Sequence, residues 1–521
     1  MSSVLGAVRR RWLGRSRDGV WRGGSIPVNT VVSGLRTIVR ALVVVVLLPL
    51  LTGRIGAAPT GLFVFATTLT GYFTAVESGL GTSVTKYVAE HRATGEAEQL
   101  GSILRASLAL MIAIGVAIAV LLTLIGVFAA QALFGTAATS SEAVPTLLVA
   151  AATALLYWPS RMGTAALQGL ERYDLNAAIQ MTSSVLTVGF IYVASELTHS
   201  VPVLTAIFGA MLVLEGVIAG VLVWPHLALR RGVGRWHGAH LLPALSFGAG
   251  LFVIGLSDTF IYESDRIVVA AFVGAAAIVV YQVALVPHNG VRLISALIAS
   301  ALISTSSRLV AQDRAARLRE LVLVGSFYGV VLTVPFVILI LVLAEPMIDA
   351  WMGQGYGRYA VYAQIFVSYW LVHANTGTLS AAITGIGRIR VFVWLTAIGA
   401  VLTLGLSIVL ASAWGTVGVI WGTVIPAWLG VPLWMHYALR HVEISKAQYA
   451  RQVLAPGYLP IAAWAIPVIV LARVLEPSGL LGVGSFCAAS LAALWLALLP
   501  MLRMRWRRAL SNDELPAAVS V

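Results

Sequence analysis

The chain has 521 residues, 59% of them hydrophobic and only 11% charged, with a mean hydropathy of +0.92. Soluble domains carry roughly 25% charged residues, so an arrangement of two or three soluble domains is excluded. The net charge of +13 is spread over short loops and tails, which excludes a folded nucleic-acid-binding platform, and the lone Cys487 excludes an internal disulfide or a cysteine metal cluster.

Residues 1–26 are polar and basic, with Arg9, Arg10, Arg11, Arg15, Arg17 and Arg22. They lack the pattern of a cleavable signal peptide and read as a cytoplasmic tail that sets topology. About fourteen apolar runs of spanning length (about 20 residues each) follow. They lie near 30–51, 59–82, 104–130, 144–167, 175–195, 201–225, 243–262, 276–303, 321–344, 361–385, 390–410, 416–437, 457–475 and 480–502. The reading is an all-α polytopic membrane protein. Its expected parts are a six-helix lobe at 27–236, a second at 237–441, an additional helix pair at 442–502 and a cytoplasmic tail at 503–521.

Basic residues alternate by side. The N-terminal tail, Lys86, Arg92, Arg172, Arg230, Arg231, Arg235, Arg308, Arg314, Arg317, Arg319, Arg388, Arg390, Arg440, Lys446, Arg451 and the run Arg503 to Arg508 fall on one side; Arg54, Arg266, Arg358 and Arg473 fall on the other. The positive-inside rule then places both termini in the cytoplasm, which requires an even number of spans.

Two patterns recur. Residues 81–90 (GTSVTKYVAE) align with 303–312 (ISTSSRLVAQ) at an offset of 222, and 166–172 (ALQGLER) with 382–388 (AITGIGR) at 216. Both offsets span six helices, an even number, so the lobes are expected to be related by a pseudo-two-fold along the membrane normal, an arrangement suited to alternating access.

The segment 79–100 (GLGTSVTKYVAEHRATGEAEQL) resembles the cytoplasmic turn after the second helix of polysaccharide exporters and lipid-linked oligosaccharide flippases. Residues 166–180 (ALQGLERYDLNAAIQ) resemble their turn between helices four and five, and 264–284 (SDRIVVAAFVGAAAIVVYQVA) the Asp-Arg segment leading into helix eight. By this resemblance, covering about residues 25–440, the chain is identified as a member of the multidrug/oligosaccharidyl-lipid/polysaccharide exporter superfamily. The resemblance implies transfer of an undecaprenyl-diphosphate-linked oligosaccharide or polysaccharide precursor from the cytoplasmic to the outer leaflet, in O-antigen, capsule or exopolysaccharide biosynthesis. It implies the bacterial inner membrane as location, membrane lipids as surroundings, and polymerase and glycosyltransferases as neighbours.

Ionisable residues within spans are default site candidates, because a charge at mid-bilayer costs about 2.5–3.5 kcal/mol on insertion scales. Arg36 and Arg40 share a face of the first helix, and His288 and Arg292 share a face of the eighth. With Arg161, just after Pro159, they are the expected headgroup-binding cations, since a diphosphate calls for the donor fork of arginine. Glu77 and Glu215 are candidates for H+ or Na+ coupling, or alternatively for neutralising an arginine. Asp258, Asp265 and Arg266 are candidates for a gate or a contact between lobes. His373 reads as a hydrogen-bonded helix contact, and Trp158, Tyr262, Trp351 and Trp421 as interfacial belt residues. No Walker A, zinc-ligand, dinucleotide or kinase pattern is found, so no cofactor and no enzymatic activity are expected. A monomer is expected. The alternative reading is a proton- or sodium-coupled drug or organic-cation antiporter of the same fold; a membrane-embedded glycosyltransferase would need an extramembrane domain.

Overall fold

The computed structural model of the protein describes residues 26–94, 97–134, 137–226, 263–387 and 389–511. Their regular structure is helical throughout, and among them ten helices are long and apolar enough to cross a bilayer. This is what hydrocarbon demands: a helix satisfies its backbone N–H and C=O groups within itself. The protein is an all-α polytopic membrane protein. Large apolar side chains such as Val120, Leu124, Leu429 and Val474 point outward, as they do where lipid is the solvent.

The chain falls into two compact units, Met1–Val279 and Val280–Val521. The first holds α1 (Ile26–Ile55), α2 (Ala57–Thr94), α3 (Ala97–Phe128), α4 (Ala137–Gly169), α5 (Tyr173–Leu197) and α6 (Val201–Val223). The expected seventh span, 243–262, lies outside the described residues; helix α7 is described over 263–272. Helix α4 is the hub, packed against α2, α3 and α6. Its crossing with α6 is made by glycines. A Cβ on Gly163 would sit 2.3 Å from the Gly220 nitrogen, and one on Gly216 would sit 2.5 Å from the Ser160 carbonyl oxygen. Only small residues permit such an approach, the usual adhesive of membrane helices.

The second unit holds most of α8 (Ala275–Ala311), then α9 (Ala315–Met352), α10 (Ala360–His373), α11 (Thr376–Gly385), α12 (Ile389–His441), α13 (Lys446–Leu475) and α14 (Gly479–Ser511). Here α9 is the hub, packed against α10, α11, α13 and α14. The extra helix pair is therefore part of this core: Phe327, Val330 and Val334 of α9 pack with Val453, Ile461, Leu494 and Leu498. Tyr328 donates to the Leu502 carbonyl at 3.0 Å, and Trp464 to Ser490 at 3.1 Å.

The sequence repeat is also a repeat of local structure. After α4, Leu170 N–H bonds to Ala166 O and Glu171 N–H to Gln168 O; after α11, Ile386 N–H bonds to Ala382 O and Gly387 N–H to Thr384 O. Every partner is shifted by the same 216 positions, and both turns close through a left-handed residue, Glu171 (φ 59°) and Gly387 (φ 78°). The motif glycines also meet the first motif in each unit. A Cβ on Gly169 would lie 2.8 Å from Thr85 O, and one on Gly385 would lie 3.0 Å from Ser307 N. Thr85 and Ser307 are equivalent at the offset of 222.

Three details depart from the sequence expectation. The expected spans 390–410 and 416–437 form one continuous helical assignment, α12, reversed at Gly415 (φ 58°, ψ −136°). The two arms run antiparallel, because Ser407 Oγ bonds to Val419 O at 3.2 Å and Gly418 and Gly422 abut Leu410 and Ser407. The expected single span 361–385 is broken at Ala374–Asn375 into α10 and α11, where Gly329 lets α9 press on the Ala374 carbonyl. Finally, α2, α8 and α14 run past the expected ends of their apolar stretches, to Thr94, Ala311 and Ser511, because polar sequence beyond an apolar run continues a helix in water as readily as in lipid.

Candidate functional site

The glycine crossing of α4 and α6 sets the position of two charged side chains. Arg161 stands one residue beyond Ser160, and Glu215 one residue before Gly216, so the closest backbone approach brings the two charges together. Arg161 Nη1 donates to Glu215 Oε2 at 3.4 Å, with side-chain exposures of 4% and 2%. From α1, Arg40 Nη2 donates to the same oxygen at 2.9 Å, with its side chain 38% exposed. Beneath Arg161, the Tyr157 ring centroid is 4.9 Å from the guanidinium carbon, a cation–π contact strengthened where water is scarce.

Among the described residues the cluster joins two guanidiniums to one carboxylate within an apolar bundle, and Glu215 pairs with both. Arg40 is the member that solvent or a ligand can reach, and a guanidinium has five N–H donors in a planar fork. Arg36 lies one turn away on α1 and is half-buried. The arrangement can attract and orient an anion with geometric preference for phosphate or carboxylate.

The remaining candidates are placed elsewhere. His288 of α8 is fully buried in an aromatic cluster of the second unit, its ring 4.2 Å from Phe366, 5.3 Å from Tyr369 and 5.6 Å from Trp370, with Nδ1 3.2 Å from Phe366 O. Arg292, one turn on, is half-buried. His373 joins the same ring cluster, 4.6 Å from Tyr369; its Nδ1 makes no hydrogen bond among the described residues, so ring packing holds it in place of the expected hydrogen bond. Asp265 is fully buried at the start of α7, and Arg266 pairs with Glu263. Asp258 lies outside the described residues, and Glu77 is placed on α2 by its backbone alone. Trp158 is fully buried against α3, beside Gly115, so it is a core residue and not a belt residue; Tyr262 lies outside the described residues.

One further cation constellation was not anticipated. Arg54, at the end of α1, donates to Tyr192 O at 3.1 Å and Ser195 Oγ at 3.0 Å, pairs with Glu196 at 2.5 Å and covers the Tyr192 ring at 4.2 Å. It clamps α1 to α5. The sequence signal was its position as a rare arginine on the sparsely charged side.

Comparison with known proteins adds three findings. A family model described as "Polysaccharide biosynthesis protein" matches residues 99–361. No curated protein matches the chain. Among solved structures, the lipid II flippase MurJ in an inward closed conformation shares 13% identity, with 90% of this chain and 99% of that one covered and a TM-score of 0.67. An inward-facing multidrug resistance MATE family transporter of the MOP superfamily shares 18%, covering 78% and 94%, with a TM-score of 0.62. A MOP superfamily transporter from Pyrococcus furiosus Vc1 (DSM3638), whose binding pocket is described as reversed in polarity, shares 16%, covering 80% and 93%, with a TM-score of 0.54. These likenesses establish a common fold, and the family match extends over half of the sequence. The chain thus belongs to the polysaccharide biosynthesis protein family and shares the fold of these transporters.

Proposed function

We propose that the protein translocates a polyprenyl-diphosphate-linked oligosaccharide or polysaccharide precursor from the cytoplasmic to the outer leaflet of the bacterial inner membrane, by alternating access and without catalysis. The observation that carries this reading is the Arg40–Glu215–Arg161 cluster. A carrier of organic cations needs unpaired acidic groups, whereas the buried carboxylate of this cluster is paired with two guanidiniums, one of them half-exposed. Arg40 contacts the diphosphate; Arg161 and Glu215 hold Arg40 in place and set the local charge, and Glu215 acts here as the compensating anion. Any H+ or Na+ coupling through Glu215 requires release of both guanidiniums. The polyprenyl chain stays in lipid while the headgroup crosses. Both termini face the cytoplasm, by the one-sided distribution of arginine. Family membership supports the polysaccharide pathway, and the MurJ and MATE-like fold supports transport.

The test is leaflet transfer of defined polyprenyl-diphosphate sugars in proteoliposomes, comparing the native protein with Arg40→Ala and Arg40→Lys. Transfer lost in Arg40→Ala and partly kept in Arg40→Lys, at equal folded protein, is the expected result. Native protein that moves no such lipid but exports organic cations would overturn the proposal in favour of the antiporter.

A further inference from the structure

We infer that the second unit carries a lateral site for an anionic glycerophospholipid, built where the accessory helix α13 meets the broken α10–α11 pair. A cleft of 430 Å³ opens there, walled by Leu371, Val372, Met435, Leu454 and Leu459. Its size falls within the range of about 300–1,000 Å³ usual for small-molecule sites, and its lining is apolar with a few placed polar groups, as such sites require.

Two of those polar groups come from the helix break. Tyr458 donates to the Leu371 carbonyl at 2.6 Å, and Asn375 lines the cleft beside it. Asn375 is 3% exposed, and its Oδ1 has no hydrogen-bond partner among the described residues. The amide also carries two N–H donors. A buried amide with unused capacity, beside an apolar cleft, suits the ester region of a lipid whose chain lies against the leucines.

Charge selects the headgroup. One turn into α13 lies a π-turn, Ala450–Leu454, and Arg451 on that turn is exposed, one turn ahead of the cleft-lining Leu454 and Ala455. Seven residues separate Arg451 from Tyr458, about 10 Å of helix. A phosphate at Arg451 thus leaves the ester and chain region beside the cleft. Arg440 and Lys446, both exposed at the adjoining ends of α12 and α13, add to the same positive rim. Such π-turns are frequent at functional sites. Arg505 secures this one by donating to Gln452 O at 2.7 Å while covering Phe327 at 4.0 Å. The site lies wholly within the second unit and does not include the cation cluster of the first.

The experiment is native mass spectrometry of the full-length protein titrated with phosphatidylglycerol or phosphatidylcholine of identical chains. One phosphatidylglycerol should be retained in preference to phosphatidylcholine. Arg451→Gln should weaken that retention about fivefold, the value of one interfacial cation, with phosphatidylcholine binding unaltered. Leu454→Trp should lower it at least tenfold by filling the cleft, and Ala455→Trp serves if that variant does not fold. Arg40→Ala should retain the lipid, which separates this site from the proposed headgroup site. Equal retention in the native and filled proteins, equal binding of both lipids, or one-for-one displacement by undecaprenyl phosphate would each overturn the inference; the last would assign the cleft to a polyprenyl chain.

Discussion

Replacing Glu215 with leucine tests the cation cluster most directly. The substitution removes one buried carboxylate and leaves two guanidiniums facing each other. In soluble proteins, removing one partner of a buried ion pair costs about 3–5 kcal/mol. Polar contacts between membrane helices average about 0.6 kcal/mol and reach about 1.7 kcal/mol. The Arg161 contact belongs near the upper membrane value, since both side chains are at most 4% exposed. The Arg40 contact is shorter, but at 38% exposure it is screened and adds about 0–1 kcal/mol. Glu215→Leu should therefore destabilise the protein by about 2–3 kcal/mol. Adding Arg161→Met should recover at least about 1 kcal/mol of that loss, because the buried guanidinium deprived of Glu215 goes with it. Equilibrium unfolding in mixed micelles across the double-mutant cycle measures both quantities. A cost below about 0.5 kcal/mol for Glu215→Leu, or strict additivity with Arg161→Met, would refute the reasoning and reduce the cluster to a surface contact.

Four further outcomes follow from particular contacts. Gly418→Ala places a Cβ 2.1 Å from the Leu410 carbonyl oxygen, so it should cost about 1–3 kcal/mol or more through overpacking and lower the folded yield; Gly430→Ala, with nothing within 4 Å, should not. Arg54→Ala breaks the clamp between α1 and α5 at a cost of about 1–2 kcal/mol, and amide exchange should speed up at residues 192–197. Glu171→Gly should raise stability by about 1 kcal/mol, because a left-handed φ penalises a Cβ; a lower unfolding midpoint would contradict this. In a protein with Cys487→Ser, a cysteine at Ser445 should react with an impermeant thiol reagent only from the cytoplasmic side, and one at Pro477 only from the outside, if the proposed orientation with both termini in the cytoplasm holds.

The sequence made the helices legible because an apolar run in lipid has no other way to satisfy its backbone. It made the repeat legible because a glycine at a helix crossing and a tight turn leave a fixed spacing. Arg161, Arg40 and Glu215 were legible as separate anomalies, since a charge in an apolar run is costly; their meeting was not, because it depends on the Gly163–Gly216–Gly220 crossing of helices far apart in the chain. The break at Asn375 escaped notice for a related reason. It is sustained by Tyr458 and Gly329, and the local run around it has no proline and reads as ordinary helix. His288 was legible as a buried histidine, while its ring partners on α10, some 80 positions later, were not.

The matched turns after α4 and α11 give this chain an internal reference. At offset 216 the backbone hydrogen bonds coincide while the side chains differ, Glu171 standing where Gly387 stands. Around these turns, a residue pair across that offset is thus one structural position solved twice within a single polypeptide. Where the two solutions agree, the demand is architectural; where they part, as when Arg161 is matched by Gly377, the difference marks what sets one half apart from the other. Specialisation in this molecule can be read by subtracting one half from the other.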